Sequence, residues 1–182
     1  MPSPAPFRRV LTAHSSSDVD GTDVYIHDDA IVPYTILDGN AHVRPLFSHM
    51  GIPTTNAHSI TTAEIEDAAG KVTDVTLPGG TNCQVTDIGP GYRTPMHRSS
   101  SVDYNIFISG SATLITPDGE GGKEKRTTVK AGDIVIQRGT LHAWETDQGQ
   151  GARWYTVIVS ALPVRVGDKS DGKELLDVSQ LD

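Results

Sequence analysis

The sequence predicts an all-β domain in which many short strands close into a barrel or sandwich. Three observations carry this. Eighteen Gly and eleven Pro are spread along the 182 residues, punctuation that suits a turn-rich sheet protein better than a helical bundle. From about residue 72 onward, short apolar runs alternate with turn signals at nearly regular spacing. The hydrophobic fraction of 36% and the charged fraction of 21% are ordinary for a globular domain, and the length suffices for one sizeable core.

Residues 1–6 are Pro-rich and expected to be disordered. Residues 8–75 carry short apolar runs, Val24-Tyr25-Ile26 and Val43 to Phe47, between Gly, Pro and Asn breaks, and read as an arm of short strands and loops. Within it, Thr62 to Ala69 predicts one or two helical turns, because Glu64, Glu66 and Asp67 follow Thr62 where a helix start favours carboxylates. Strands are then expected at Asn82–Ile88, Thr94–Arg98, Val102–Ile108, Ala112–Thr116, Arg126–Val129, Asp133–Gln137, Leu141–Thr146 and Ala152–Ala161. Turns separate them at Gly89-Pro90-Gly91, Ser109-Gly110-Ser111, Pro117-Asp118-Gly119, Gly132, Gly139 and Gln148 to Gly151. The mixed-sign run Lys123-Glu124-Lys125-Arg126 reads as a solvated hairpin tip. The plan is one domain: an N-terminal arm over 1–75, a barrel over 76–162 and a polar tail over 163–182, with a short helix expected at Gly172-Lys173-Glu174-Leu175-Leu176.

The net charge of −8 would repel phosphate backbones, so no nucleic-acid partner is expected. The single cysteine, Cys83, leaves no intrachain disulfide framework; it lies in a strand-like run where a buried structural thiol is expected. The first residues lack an apolar signal core, and no run of about 18 apolar residues occurs. No membrane partner is expected, and the expected location is cytoplasmic. Phosphate-binding Gly-rich loops, a Gly-x-Ser-x-Gly turn and Cys-x-x-Cys pairs are absent.

Two segments carry the chemistry. One runs from Gly91 to Gly110 and holds His97, Ser99, Asp103 and Asn105; the other runs from Gly132 to Trp144 and holds Gln137, Arg138, Gly139 and His142. Together they resemble the two cupin motifs. The first motif is Gly, five residues, His-x-His, three or four residues, Glu, six residues, Gly; Gly91, His97, Asp103 and Gly110 fall on those positions. The second ends in Gly, two residues, His, matched by Gly139 and His142. The chain departs from the pattern at Ser99 (second His), Asp103 (Glu), Gln137 (Pro) and Thr146 (Asn), and its second motif is one residue shorter after Gly132. The resemblance spans roughly residues 76–162. It extends to small single-domain cupins with a Gln-Arg-Gly-Thr-x-His-Ala-Trp signature, often found beside secondary-metabolite enzymes in fungi and bacteria. It implies a cupin-type jelly-roll β-barrel with short N- and C-terminal arms, and a small organic substrate, polyketide-like or a keto or hydroxy acid. As in metal-dependent cupins, it also implies Fe, Mn, Ni or Zn.

Side chains alternate faces along a strand, so His97 and Ser99 share one face, as do Asp103 and Asn105. Two imidazoles and a carboxylate converging in a barrel are the ingredients of a two-His, one-carboxylate metal site with open positions. Ser99 is a poor ligand, however, and Asp103 is one methylene shorter than Glu. Two cofactor readings therefore stand: one divalent metal on His97, Asp103 and His142, serving an oxygenase or oxidoreductase; or no cofactor, with His97 and His142 as an acid/base pair and Asp103 orienting them. The second leads, and it points to a lyase or isomerase performing decarboxylation, dehydration or isomerisation next to a carbonyl. A non-catalytic ligand-binding barrel is the third reading. Arg93 and Arg138 are the candidate anchors for an acidic substrate, Ser99 and Asn105 further candidate contacts, and Trp144, on the face of His142, a candidate aromatic wall. His14, His27, His42, His49 and His58 lie outside the motifs and are read as surface or structural. Val102, Tyr104, Ile106 and Ile108 lie opposite Asp103, so this strand is apolar on both faces; its outer face needs cover from the arm or from a second subunit, and a homodimer is predicted.

Overall fold

The computed structural model describes residues 6–56, 59–119, 122–166 and 173–174. Its strands are β1 (Phe7–His14), β2 (Val24–Ile31), β3 (Tyr34–Ile36), β4 (Ala41–Met50), β5 (Gly80–Ile88), β6 (Ser101–Pro117), β7 (Glu124–Lys130), β8 (Ile134–Arg138), β9 (Ala143–Glu145), β10 (Ala152–Ser160), β11 (Arg165–Val166) and β12 (Lys173–Glu174). Helix α1 spans Thr62–Gly70. Thr61 starts it with a capping box: its side chain accepts from the Glu64 amide, and the Glu64 carboxylate accepts from the Thr61 amide. Ile65, fully buried, fixes the inner face of the helix.

One eight-stranded antiparallel sheet forms the barrel, in the order β3-β4-β5-β10-β6-β7, with β8 and β9 also paired to β6. The hub is β6. Val102–Ile106 pairs with β8, and the same half pairs with β10 on its other edge; Ser111–Pro117 pairs with β7, and Thr113–Ile115 with β9. A strand that changes partners halfway turns a sheet through a corner, which is how a jelly roll closes. The fold is the all-β jelly-roll barrel that the sequence predicts. The barrel sheet takes in β3 and β4, from the segment read as the N-terminal arm.

Two predicted boundaries are corrected. Ser109-Gly110-Ser111, read as a turn between two strands, lies inside the single 17-residue strand β6. Gly110 has φ +70, and a Cβ there would lie 1.9 Å from the Gly151 carbonyl oxygen; the register with β10 shifts beside it. Glycine thus permits a bulge and bend rather than a chain reversal. Thr94–Arg98, read as a strand, is an extended segment joined to its neighbour by the isolated bridges Arg93–Glu145 and His97–His142. In the tail, the expected helix falls on Lys173–Glu174, which pair as a short strand with Arg165–Val166, and on residues outside the described ones, as does most of the Pro-rich start.

The floor of the barrel is aromatic. Phe107 stacks on Trp154 at 5.0 Å, and Trp144 lies 5.4 Å from Phe107 and 5.3 Å from Trp154. Leu37, Ala41, Ile88 and Ala152 pack around these rings. Outside the sheet, β1 and β2 form a hairpin whose root covers β10: the Phe7 ring meets Tyr155 edge-on, and the Arg153 guanidinium sits 4.1 Å from the Phe7 centroid. Among the described residues, no helix is long and apolar enough to cross a membrane.

Candidate active site

His97 and His142 face each other because their backbones do. The His97 amide donates to the His142 carbonyl at 2.8 Å and the His142 amide to the His97 carbonyl at 2.9 Å. This two-way pair brings the ring centroids to 4.2 Å at 55°. The turn before each histidine then fixes its tautomer. His97 Nδ1 lies 2.9 Å from the Pro95 carbonyl oxygen and His142 Nδ1 2.8 Å from that of Thr140. A carbonyl only accepts, so each Nδ1 carries a hydrogen and donates it, and each Nε2 keeps its lone pair.

Both imidazoles are held neutral. Burial pushes the pKa of His97 down; burial, and then the neighbouring His97, push that of His142 down to about 3. The carboxyl is displaced the opposite way. Asp103, 7% exposed, has its pKa raised by burial to about 6, against a hydrogen bond from Ser101 that works to lower it. Its Oδ1 has no hydrogen-bond partner. Both histidines and Asp103 line one cavity of about 280 Å³ above the tryptophan floor.

Asn105 and Trp144 also line this cavity. Trp144 meets the His142 ring edge-on at 6.1 Å. Asn105 belongs to a buried polar chain across three strands: Thr156 Oγ1 donates to Asn105 Oδ1 at 2.8 Å, and Asn105 Nδ2 donates to Gln137 Oε1 at 2.7 Å. Gln137 Nε2 ends the chain without a partner. Gln137, Thr156 and Trp154 escaped the sequence reading. Gln137 carried a signal, since it sits two residues from Val135 and so on the face opposite Ile134 and Ile136.

Three expected contacts are not in the cavity. Arg93 is on the surface, where Glu124 holds its guanidinium at 2.5 and 3.3 Å. Arg138 is exposed, because strand alternation that turns Gln137 inward turns Arg138 outward. Ser99 bonds to Ser101 at 2.7 Å, behind Asp103, rather than lining the cavity. His42 is buried but on the face away from the cavity, between the lining residues Ala41 and Val43. His49 lines the cleft beneath the N-terminal hairpin, and His58 lies outside the described residues. Cys83, expected to be buried, is half-buried, and burial raises its thiol pKa.

The metal set His97, Asp103, His142 does not assemble: among the described residues, no three His, Cys, Asp or Glu side chains converge closely enough to hold an ion. The two Nε2 lone pairs suit a metal, but Asp103 does not join them. The donor set on hand is two imidazoles, which is short of the ligands such a centre requires.

No protein-family model matches the chain. Several curated proteins do. Phomopsin biosynthesis cluster protein C' of Diaporthe leptostromiformis is 28% identical over 176 residues, covering 95% of this chain and 86% of that protein. A cupin-domain-containing oxidoreductase of Neurospora crassa is also 28% identical over 176 residues, covering 93% and 86%. Oryzines biosynthesis cluster protein J of Aspergillus oryzae is 37% identical over 103 residues, 56% of this chain and 55% of that one. The chain is similar to cupin-domain proteins and to products of biosynthetic clusters. Among solved structures, the polyketide cyclase RemF from Streptomyces resistomycificus is 17% identical at a TM-score of 0.43, over 78% of this chain and 74% of that one.

Proposed function

We propose that this chain is a biosynthetic lyase or isomerase that moves a proton on the carbon next to a carbonyl. One observation carries the reading: two imidazoles with free Nε2 lone pairs and a carboxyl with a raised pKa share a cavity of about 280 Å³. Environments that push neighbouring titratable groups in opposite directions separate a base from an acid.

His97 takes the proton. It is less buried than His142, whose own protonation the neighbouring ring opposes. As His97 Nε2 accepts the proton, the C–H electron pair becomes the enol double bond and the carbonyl oxygen takes the proton of Asp103. Return of the His97 proton to a different carbon, as the enol proton goes back to Asp103, isomerises the substrate; where a β-hydroxyl is present, Asp103 gives its proton to that oxygen instead, and water leaves as the C–H electron pair becomes the α,β double bond. His142 Nε2 accepts a hydrogen bond from the charged His97 ring or from a substrate hydroxyl.

The test is hydrogen exchange at carbon in D₂O, followed by NMR on a panel of small ketones. Wild type exchanges the α-protons above the buffer rate, and His97→Gln lowers the enzymic rate by about 10²–10⁴-fold. Exchange that survives both His97→Gln and His142→Gln contradicts the proposal. An oxidoreductase is the second reading, supported by the name of the Neurospora relative. Its mark is substrate-dependent oxygen uptake.

A further inference from the structure

Among the described residues, the lining of the cavity contains no Lys or Arg. Arg93 is occupied by Glu124 on the surface and Arg138 points away. The carboxyl side chains that line it are Asp103 within and the exposed Asp74. A buried substrate carboxylate would meet no counter-charge, an arrangement that desolvation makes costly.

One side chain of the lining does carry an unused donor. The chain from Thr156 through Asn105 fixes Gln137 by its Oε1 and leaves Nε2, buried and unpartnered, as the free end. Gln137 is 5% exposed and lies directly across the strand ladder from Asp103. Buried polar groups in a native fold normally have partners, and a bound ligand supplies the missing one. Two adjacent side chains thus line the same space, one ending in a buried amide nitrogen and one in a carboxyl, each with an atom that has no partner. Trp144, Trp154 and Ile88 make the apolar walls.

From this we infer that the site takes a small neutral carbonyl compound rather than a carboxylate, with Gln137 Nε2 donating to the carbonyl oxygen. The inference rests on the proton-transfer reading above and narrows it: enolisation or dehydration of a ketone or aldehyde fits the cavity, and decarboxylation of a keto acid does not. Gln137 is then the residue that selects the substrate and steadies the oxygen as it gains charge.

A matched pair of probes tests it, methyl levulinate and levulinate, which share a ketone and differ in one charge. The chain has two tryptophans and both line the cavity, so quenching of their fluorescence reads binding directly. The expected result is saturable binding of the ester, with levulinate at least about tenfold weaker, and a loss of about tenfold in ester affinity in Gln137→Met. Equal or tighter binding of levulinate overturns the inference, as does wild-type ester affinity in Gln137→Met or the failure of both probes to bind at up to about 50 mM. If Gln137→Met does not fold, the two probes on the wild type decide alone. Exchange at carbon separates this from the parent reading. Ester preference without catalysed exchange retains the substrate class and removes the proton-transfer chemistry; faster exchange on levulinate does the reverse.

Discussion

Asp103 is the residue on which the chemistry turns, and its burial has a consequence for stability. Its pKa is raised in the fold to about 6 from an ordinary value of 3.8. The folded state therefore holds this proton more tightly than the unfolded chain does. That contribution is fully present below about pH 4 and is lost as the pH rises through about 6. At pH 8 the protein carries an ionised, poorly partnered carboxylate inside the barrel. Asp103→Asn should therefore be more stable than wild type at pH 8, by about 1–3 kcal/mol, and gain nothing at pH 4. Thermal melts of both proteins at the two pH values check this; an equal gain at both would assign the effect to packing instead. The position of Asp103 was legible in the sequence, because motif spacing and strand alternation both mark it, and the same holds for His97 and His142. The substrate contacts were less so. Arg138 and Gln137 are neighbours, and alternation admits one of them to the cavity; sequence supplies the alternation but not its phase against the barrel axis.

At the scale of elements, β6 shows why turn signals can mislead. Ser109-Gly110-Ser111 has the composition of a turn, yet the chain continues as one strand. The deciding contact is long-range: Gly151 presses so closely on Gly110 that a side chain has no room. Gly110→Ala combines a left-handed φ with a backbone collision, and should cost about 3 kcal/mol or more. Chemical denaturation measures this; a loss under about 1 kcal/mol would show that the bulge relaxes freely. The bridge at His97 is the complementary case. The segment carries too little ladder to count as a strand, but its two hydrogen bonds to His142 are what pair the imidazoles. The histidines themselves were visible in the sequence; the hydrogen bonds that set their faces together were not, since these link residues 45 positions apart in the chain.

At the scale of the whole molecule, the outer face of the barrel is covered in part. The N-terminal hairpin is clamped down by Arg9, 8% exposed, which bonds Asp29, Glu66 and the Leu46 carbonyl and so ties β1, β2, α1 and β4 together. This cover reaches Tyr155 on β10. It leaves a stripe on β6 and β8, Tyr104, Ile106, Ile108, Ile134 and Ile136, each 38–56% exposed, with Tyr104 opposite Ile136 and Ile106 opposite Ile134 in the ladder. Alternation along β6 made the apolar outer face legible; how far the arm would extend over it was not. The homodimer proposed from the sequence would close this stripe with a second copy. Light scattering should give a dimer for the wild type and a monomer for Ile106→Asp/Ile136→Asp. A wild-type monomer would remove the second copy.

Proton transfer between a neutral imidazole and a protonated carboxyl has one direct signature, the pH profile of α-proton exchange on a neutral ketone. The rate should be highest in mildly acid solution, fall above about pH 6 as Asp103 loses its proton, and fall again in stronger acid as His97 gains one. In Asp103→Asn the rate should be lower and its alkaline limb absent. A profile that climbs through pH 8 and keeps its shape in Asp103→Asn would contradict the assignment of Asp103 as the acid, and with it the account of this site.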